Sequence, residues 1–230
     1  MYFYQSNKKI CQYIYEHELW VLGRVIEIYD QVTHQNEEML EPLWRKFDSD
    51  IEGISLFCSK MEAAFYSTYL EKRFNEKWAV YPLDDFNIKE MIIHNYSAKK
   101  TYEYNLLLSA GLWADKDNKI ITCNYHLVQA MIPVTYKPGV ITKDSEHPIL
   151  KIPENVAVKF NKMWKRRYPD FISHTKSQCN YHSDYLKEQS LIAFNNIQFK
   201  EIDEISDCVY LATYDNDWIF CNPDDLNLIR

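Results

Sequence analysis

Four glycines, Gly23, Gly53, Gly111 and Gly139, are all that this chain of 230 residues carries. Average usage of about 7% would supply roughly four times as many. A dinucleotide-binding turn (G-x-G-x-x-G), a phosphate loop (G-x-x-x-x-G-K-[ST]) and a nucleophile elbow (G-x-S-x-G) each need glycines a few positions apart. Only a residue without a Cβ lets the backbone turn that sharply or approach a ligand that closely. No two of these glycines are close enough to write any of the three motifs, so those phosphate-binding and hydrolytic classes are excluded. Hydrophobic residues still make up 47% of the chain and aromatics 15%, which is enough to bury a sizeable core.

The segment Met1 to Lys9 places its first basic residues after its apolar ones and lacks a following apolar run, so it does not read as a secretory signal. The uncharged runs Leu106 to Ala114 and Leu127 to Val134 fall short of the ~20 residues a membrane helix needs. Six cysteines, at 11, 58, 123, 179, 208 and 221, are spread too widely for a disulfide scaffold, which points to reduced thiols and a cytoplasmic location.

Residues recur along Asn7 to Val32 in two stripes, one through Ile10, Ile14, His17, Val21, Val25, Ile28 and Val32, apolar but for His17, the other through Cys11, Tyr15, Leu19, Leu22, Ile26 and Tyr29. Both follow helical spacing and predict a helix apolar around most of its circumference, suited to the middle of a bundle or to a homodimer contact. Gly23 within it reads as a close helix crossing. Pro42 to Phe47 reads as a short helix, and Ser49-Asp50-Ile51-Glu52 as a capping box ahead of a second long helix carrying Ile54, Phe57, Cys58, Met61, Phe65 and Tyr69 to about Phe74. Trp78 to Tyr81 reads as a short strand. Asp84 or Asp85 starts a helix through Tyr96, and Thr101 to Ala110 forms another that Gly111 ends with a left-handed cap.

The second half has a different texture. Lys119 to Thr122, Val128 to Tyr136 and Ile149 to Ile152 are short apolar runs bounded by proline and charge, which predicts strands. Asn155 caps a helix through Trp164 that Pro169 terminates. Val209 to Tyr214 and Trp218 to Cys221 flank Asp215-Asn216-Asp217, a terminal β-hairpin with an acidic turn. The expected fold is α+β: a mainly helical N-terminal half (1–114) packed on a mixed C-terminal half (119–230) with short antiparallel strands, the whole forming a single body over 1–230.

Two identical strings, Cys123-Asn124-Tyr125-His126 and Cys179-Asn180-Tyr181-His182, together hold the two thiolates and two imidazoles of a tetrahedral zinc site. Their flanks do not repeat, and the accidental alternative is a core thiol at Cys123 and a surface His182. His174 could add a ligand, and Cys179 with His182 or His174 and with Asp184 supplies the residue types of thiol chemistry, although no motif supports it. His17-Glu18 begins an H-E-x-x-H helix but Val21 stands at the second histidine. Ser97-Ala98-Lys99-Lys100 and Ser173-His174-Thr175-Lys176 match S-x-x-K without its companion motifs. Lys162-Met163-Trp164-Lys165-Arg166-Arg167-Tyr168 interleaves cations with aromatics as a nucleic-acid strand requires, and as the last turn of an ordinary helix also does.

Charge is segregated. The net formal charge is −6 over residues 1–96, +1 over 97–156, +4 over 157–199 and −6 over 200–230, for −7 in all. The final acidic segment sets Glu201, Asp203, Asp215, Asp217, Asp224 and Asp225 around Tyr214 and Trp218, aromatic anchors within a charged border. A solvated hairpin accounts for the same residues. An acidic chain without a catalytic motif or a required cofactor reads first as a non-enzymatic binder of another protein, an immunity or antitoxin type of inhibitor with a basic toxin as partner. The zinc site of Cys123, His126, Cys179 and His182 and nucleic-acid binding through 162–168 are the alternatives.

Overall fold

The computed structural model describes residues 13–14, 18–30, 34–46, 52–87, 103–122, 127–135, 150–165, 168–201 and 210–222. In chain order the strands are β1 (Tyr13–Ile14), β2 (Trp20–Asp30), β3 (Gln35–Pro42), β4 (Trp44–Lys46), β5 (Glu52–Phe57), β6 (Ala79–Pro82), β7 (Glu103–Ala114), β8 (Ile120–Thr122), β9 (Leu127–Thr135), β10 (Leu150–Lys151), β11 (Phe199–Glu201), β12 (Tyr210–Tyr214) and β13 (Trp218–Cys221). The helices are α1 (Lys60–Phe74), α2 (Glu154–Lys165), α3 (Phe171–Ser177) and α4 (Ser183–Asn195).

β1 and β10 pair in parallel, and the other eleven strands form one sheet with the path β11-β8-β7-β5-β2-β3. β9 and β12 also pair with β7, β13 with β12, β4 with β5 and β6 with β2. The centre is β7. It runs parallel to β5, with Ile54 opposite Leu106 and Leu56 opposite Leu108, and antiparallel to β9 and β12. Leu106, Leu107 and Leu108 are all buried, so both faces of this strand are covered. A strand of that kind reads as a continuous apolar run rather than an alternating one.

The expected mainly helical N-terminal half is therefore corrected to sheet. Trp20–Asp30 is a strand whose partner β3 runs back from Gln35 to Pro42, in register from Gly23 opposite Pro42 to Asp30 opposite Gln35. Trp20 to Gly23 lie between neighbours on both sides and are buried, whereas Val25 and Tyr29 are more than half exposed. With the helix goes the helical face expected to meet a second copy. Trp44–Lys46, Glu52–Phe57 and Glu103–Ala114 are likewise strands where helices were expected, so the second long helix starts only at Lys60. Ser49, Asp50 and Ile51 of the expected capping box lie outside the described residues, as does 88–96 of the expected helix after Asp85.

Two glycines have definite steric work. A Cβ on Gly53 would come within 2.5 Å of the Asn105 carbonyl oxygen across the β5–β7 pair, so no larger residue fits without moving β7. Gly111 has φ 134° and sits where the β7–β9 register slips, a β-bulge rather than the expected helix cap.

α1 is the helix that is buried nearly all round. Met61 to Tyr66 and Thr68 to Leu70 are buried between the sheet and α4. Ser59 caps it, its Oγ accepting from the Glu62 amide at 3.2 Å, and Asn75 ends it with a left-handed φ of 57°. The aromatic core around it joins distant parts of the chain. Phe65 meets Trp218 edge-on at 4.8 Å, and Tyr69 packs on Phe199 at 5.5 Å. Among the described residues no helix is long and apolar enough to cross a membrane.

Candidate functional site

Strands are observed at the runs expected over 78–81, 119–122, 128–136 and 149–152, as Ala79–Pro82, Ile120–Thr122, Leu127–Thr135 and Leu150–Lys151; the helix expected to be capped by Asn155 starts at Glu154, so Asn155 lies inside it, and the terminal hairpin is observed. The hairpin is where the predicted site residues concentrate. β12 and β13 pair antiparallel from Leu211 opposite Cys221 to Tyr214 opposite Trp218, leaving Asp215-Asn216-Asp217 as the turn. Asn216 takes a left-handed φ of 62°, tolerated because its short polar side chain can bond locally. Asp217 accepts the Trp218 amide at 2.8 Å on its own carboxylate and the Asp215 amide at 3.1 Å on its carbonyl oxygen.

The three turn residues do not share one role. Asn216 and Asp217 are exposed, but Asp215 is 6% exposed and its carboxylate turns inward. One oxygen, Oδ2, is bonded to His174 Nε2, and the other accepts from the Gln178 amide nitrogen at 2.9 Å. His174 and Gln178 stand one helical turn apart on α3 and the 3-10 turn Gln178–Asn180 that follows it, so both reach the same carboxylate. Tyr168 stacks flat on the His174 ring, 4.3 Å between centroids at 5°. A buried carboxylate demands donors, and these two supply them.

The network continues into α1. Gln178 Oε1 accepts from Ser59 Oγ at 3.0 Å and from the Lys60 amide at 2.8 Å, two groups at the start of α1. Lys60 Nζ donates to the carbonyl oxygens of Tyr181 at 2.9 Å and Cys179 at 3.3 Å and stands 4.9 Å over the Trp20 ring. Burial pulls the Lys60 ammonium below the ordinary lysine value, an effect that Cys179 opposes.

On the outer side, the Tyr185 hydroxyl of α4 donates to Asn216 Oδ1 at 2.9 Å. Burial raises the Tyr185 phenol above its ordinary value, and Tyr181, Asp215 and Glu188 push it the same way. Tyr214 is raised first by burial and then by Tyr185, Asp217 and Asp215. Both phenols therefore remain neutral hydrogen-bonding groups in a region of negative potential.

The predicted partner-binding residues thus separate. Asp217 is exposed; Trp218 is half-buried, its ring against Phe65 and its indole nitrogen donating to the Ala193 carbonyl at 3.3 Å. Tyr214 and Asp215 are buried. Glu201 is exposed at the far end of β11 and pairs with Arg73 at 2.8 Å. Asp203, Asp224 and Asp225 lie outside the described residues.

Of the four zinc candidates, Cys179 and His182 are exposed on either side of Asn180 and Tyr181, and His182 is the N-cap residue of α4. Cys123 and His126 lie outside the described residues, and among the described residues no three candidate ligands gather. In the basic segment, Lys162 and Lys165 are exposed in the last turn of α2, Arg166 and Arg167 lie outside the described residues, and Tyr168 is engaged by His174. Sequence reasoning missed Ser59, Lys60, Gln178 and Tyr185. The His174/Gln178 spacing was the one available signal, and it names no partner 37 or 41 positions later.

Comparison of the chain with protein-family models, with curated proteins and with solved structures finds no match.

Proposed function

We propose that this protein is a non-enzymatic binding module of the immunity or antitoxin type, a cytoplasmic inhibitor that holds a basic toxin domain where the β12–β13 turn meets α4. The observation that carries the reading is the Tyr185–Asn216 hydrogen bond, because it fastens two acidic elements into one face. Exposed Asp184 and Glu188 of α4 are thereby brought beside exposed Asn216 and Asp217, with the half-buried rings of Tyr181, Tyr185 and Trp218 among them; Lys187 is the basic residue of this stretch. Carboxylates at the rim steer a cationic partner and speed its approach. Half-buried tyrosine and tryptophan supply anchoring area at little entropic cost. The buried Asp215 anchor holds the turn in place beforehand, which lowers the ordering cost of binding.

The test uses two baits in the native cell, the wild-type chain and the Asp184→Lys/Asp217→Lys chain. The expected result is a stoichiometric basic protein captured by the first, lost from the second and weakened by added salt. Equal capture by both baits, or no stoichiometric partner for either, overturns the proposal.

A further inference from the structure

Gln178 stands at the crossing of two hydrogen-bond systems. Its side chain belongs to a residue only 1% exposed, and both ends of the amide are used. The carbonyl end serves the first turn of α1, where backbone N–H groups lack acceptors within the helix; it takes the Lys60 amide and Ser59 Oγ, and Ser59 Oγ in turn takes the Glu62 amide. The nitrogen end serves the hairpin turn through Asp215. A primary amide is planar and conjugated, so displacing one end displaces the other, and polarising one end strengthens the bond at the other. Lys60 reinforces the junction from the helix side by holding the Cys179 and Tyr181 carbonyls, and His174 reinforces it from the hairpin side.

We infer that the hairpin turn and the first turn of α1 are one energetically coupled unit with Gln178 as the coupling residue, so that an event confined to the turn alters the opening of the amino end of α1. The coupling is a property of the chain alone; its use by a partner rests on the binding function proposed above. Coupling between two sites is reciprocal, so the same factor must be read in both directions. It also belongs to the low-energy local openings that hydrogen exchange resolves from global unfolding.

The experiment is amide hydrogen exchange on the full chain under native conditions. The reporters on α1 are the amides of Lys60, Glu62 and Ala63, and those of the turn are Asp215 and Trp218. Leu107 and Leu108 of β7, fully buried and paired with β5 on one side and β9 on the other, serve as the control for global unfolding. Asp215→Asn is expected to accelerate the α1 reporters at least about fivefold, the lower end of common site-to-site couplings. Ser59→Ala, which removes a helix cap and leaves every turn residue in place, is expected to accelerate the turn reporters by a comparable factor. In a Gln178→Met background both cross-effects are expected to vanish while each direct effect persists. Cross-effects below about twofold, cross-effects that survive Gln178→Met, or equal acceleration of the Leu107 and Leu108 control would each overturn the inference. Should Asp215→Asn not fold, the Ser59→Ala arm decides by itself. None of these readings uses a partner, so failure here and failure of the binding proposal are separate results.

Discussion

Asp115 and Asp215 occupy matching positions and are satisfied in opposite ways. Each follows the last residue of a strand, β7 or β12, each opens a tight turn containing a left-handed asparagine, Asn118 at φ 60° or Asn216 at φ 62°, and each is almost wholly buried, at 3% and 6% exposure. Asp115 draws its donors chiefly from its own turn: Oδ1 accepts the Asp117 amide at 2.9 Å and the Lys119 amide at 3.0 Å, with Lys200 of β11 at 3.4 Å from Oδ2. Asp215 draws them from α3 and the turn after it, far earlier in the chain. The first is turn chemistry written in neighbouring residues. The second is a tertiary junction, and removing it disturbs groups that belong to other elements.

The largest expected difference follows from what each substitution strands. Asp215→Ala leaves the buried Gln178 amide and the half-buried His174 ring without their acceptor, a loss of about 2–4 kcal/mol by the usual cost of orphaned buried donors and broken buried pairs. Asp115→Ala frees backbone amides of an exposed turn, which water can serve, at about 1–2 kcal/mol. Urea denaturation of both variants checks the order. Equal losses would mean that the origin of the donors is irrelevant and that burial alone sets the cost.

The same contrast separates what could be read along the chain from what could not. The terminal hairpin, β8, β9 and α2 were legible because local turn, proline or charge signals bound each of them, although α2 starts at Glu154, ahead of the Asn155 expected to cap it. β2 and β7 were not, because a strand covered on both faces, as at Trp20 to Gly23 and Leu106 to Leu108, loses the alternation that marks a strand and imitates a buried helix. Ser49-x-x-Glu52 and Ser59-x-x-Glu62 are the same capping string, and Glu52 opens β5 whereas Ser59 caps α1. Nothing local distinguishes them; the packing of the following aromatics against the sheet does. Asp217 was identifiable as a surface acid, but Asp215 beside it was not identifiable as a buried one, since its environment is made by His174 and Gln178.

Acid titration sharpens the comparison at the Asp115 end. Burial alone would raise this carboxyl, but the Lys119 and Asp117 amides and the Lys200 ammonium outweigh it and hold the group below its ordinary 3.8. A carboxyl lowered in the folded state contributes stability that is fully present above its unfolded value and is lost as the pH falls through the folded one. The stability gap between wild type and Asp115→Asn is therefore expected to be widest near neutral pH and to narrow steadily below about pH 4. Denaturation midpoints across that range measure it. A gap that stays constant into acid would show that Asp115 supports its turn by shape and hydrogen bonding alone, without its charge.

The smallest difference lies in the two asparagines. Both have positive φ, where glycine is at least as well suited, so replacing either by glycine relieves the folded backbone while adding freedom to the unfolded chain. What Asn118 supplies is backbone, its amide donating to the Asp115 carbonyl at 3.1 Å, and Asn118→Gly keeps that bond. The expected stability is within about 0.5 kcal/mol of wild type. Asn216→Gly loses the acceptor of the Tyr185 hydroxyl as well, for a net loss of about 0.5–1.5 kcal/mol, the ordinary worth of one hydrogen bond. Tyr185→Phe should reproduce most of that loss, and the double variant should add little to either single one, since both remove the same bond. Strict additivity in this cycle would show that the bond joining α4 to the turn contributes nothing of its own, and the acidic face built on it would then be two independent surfaces.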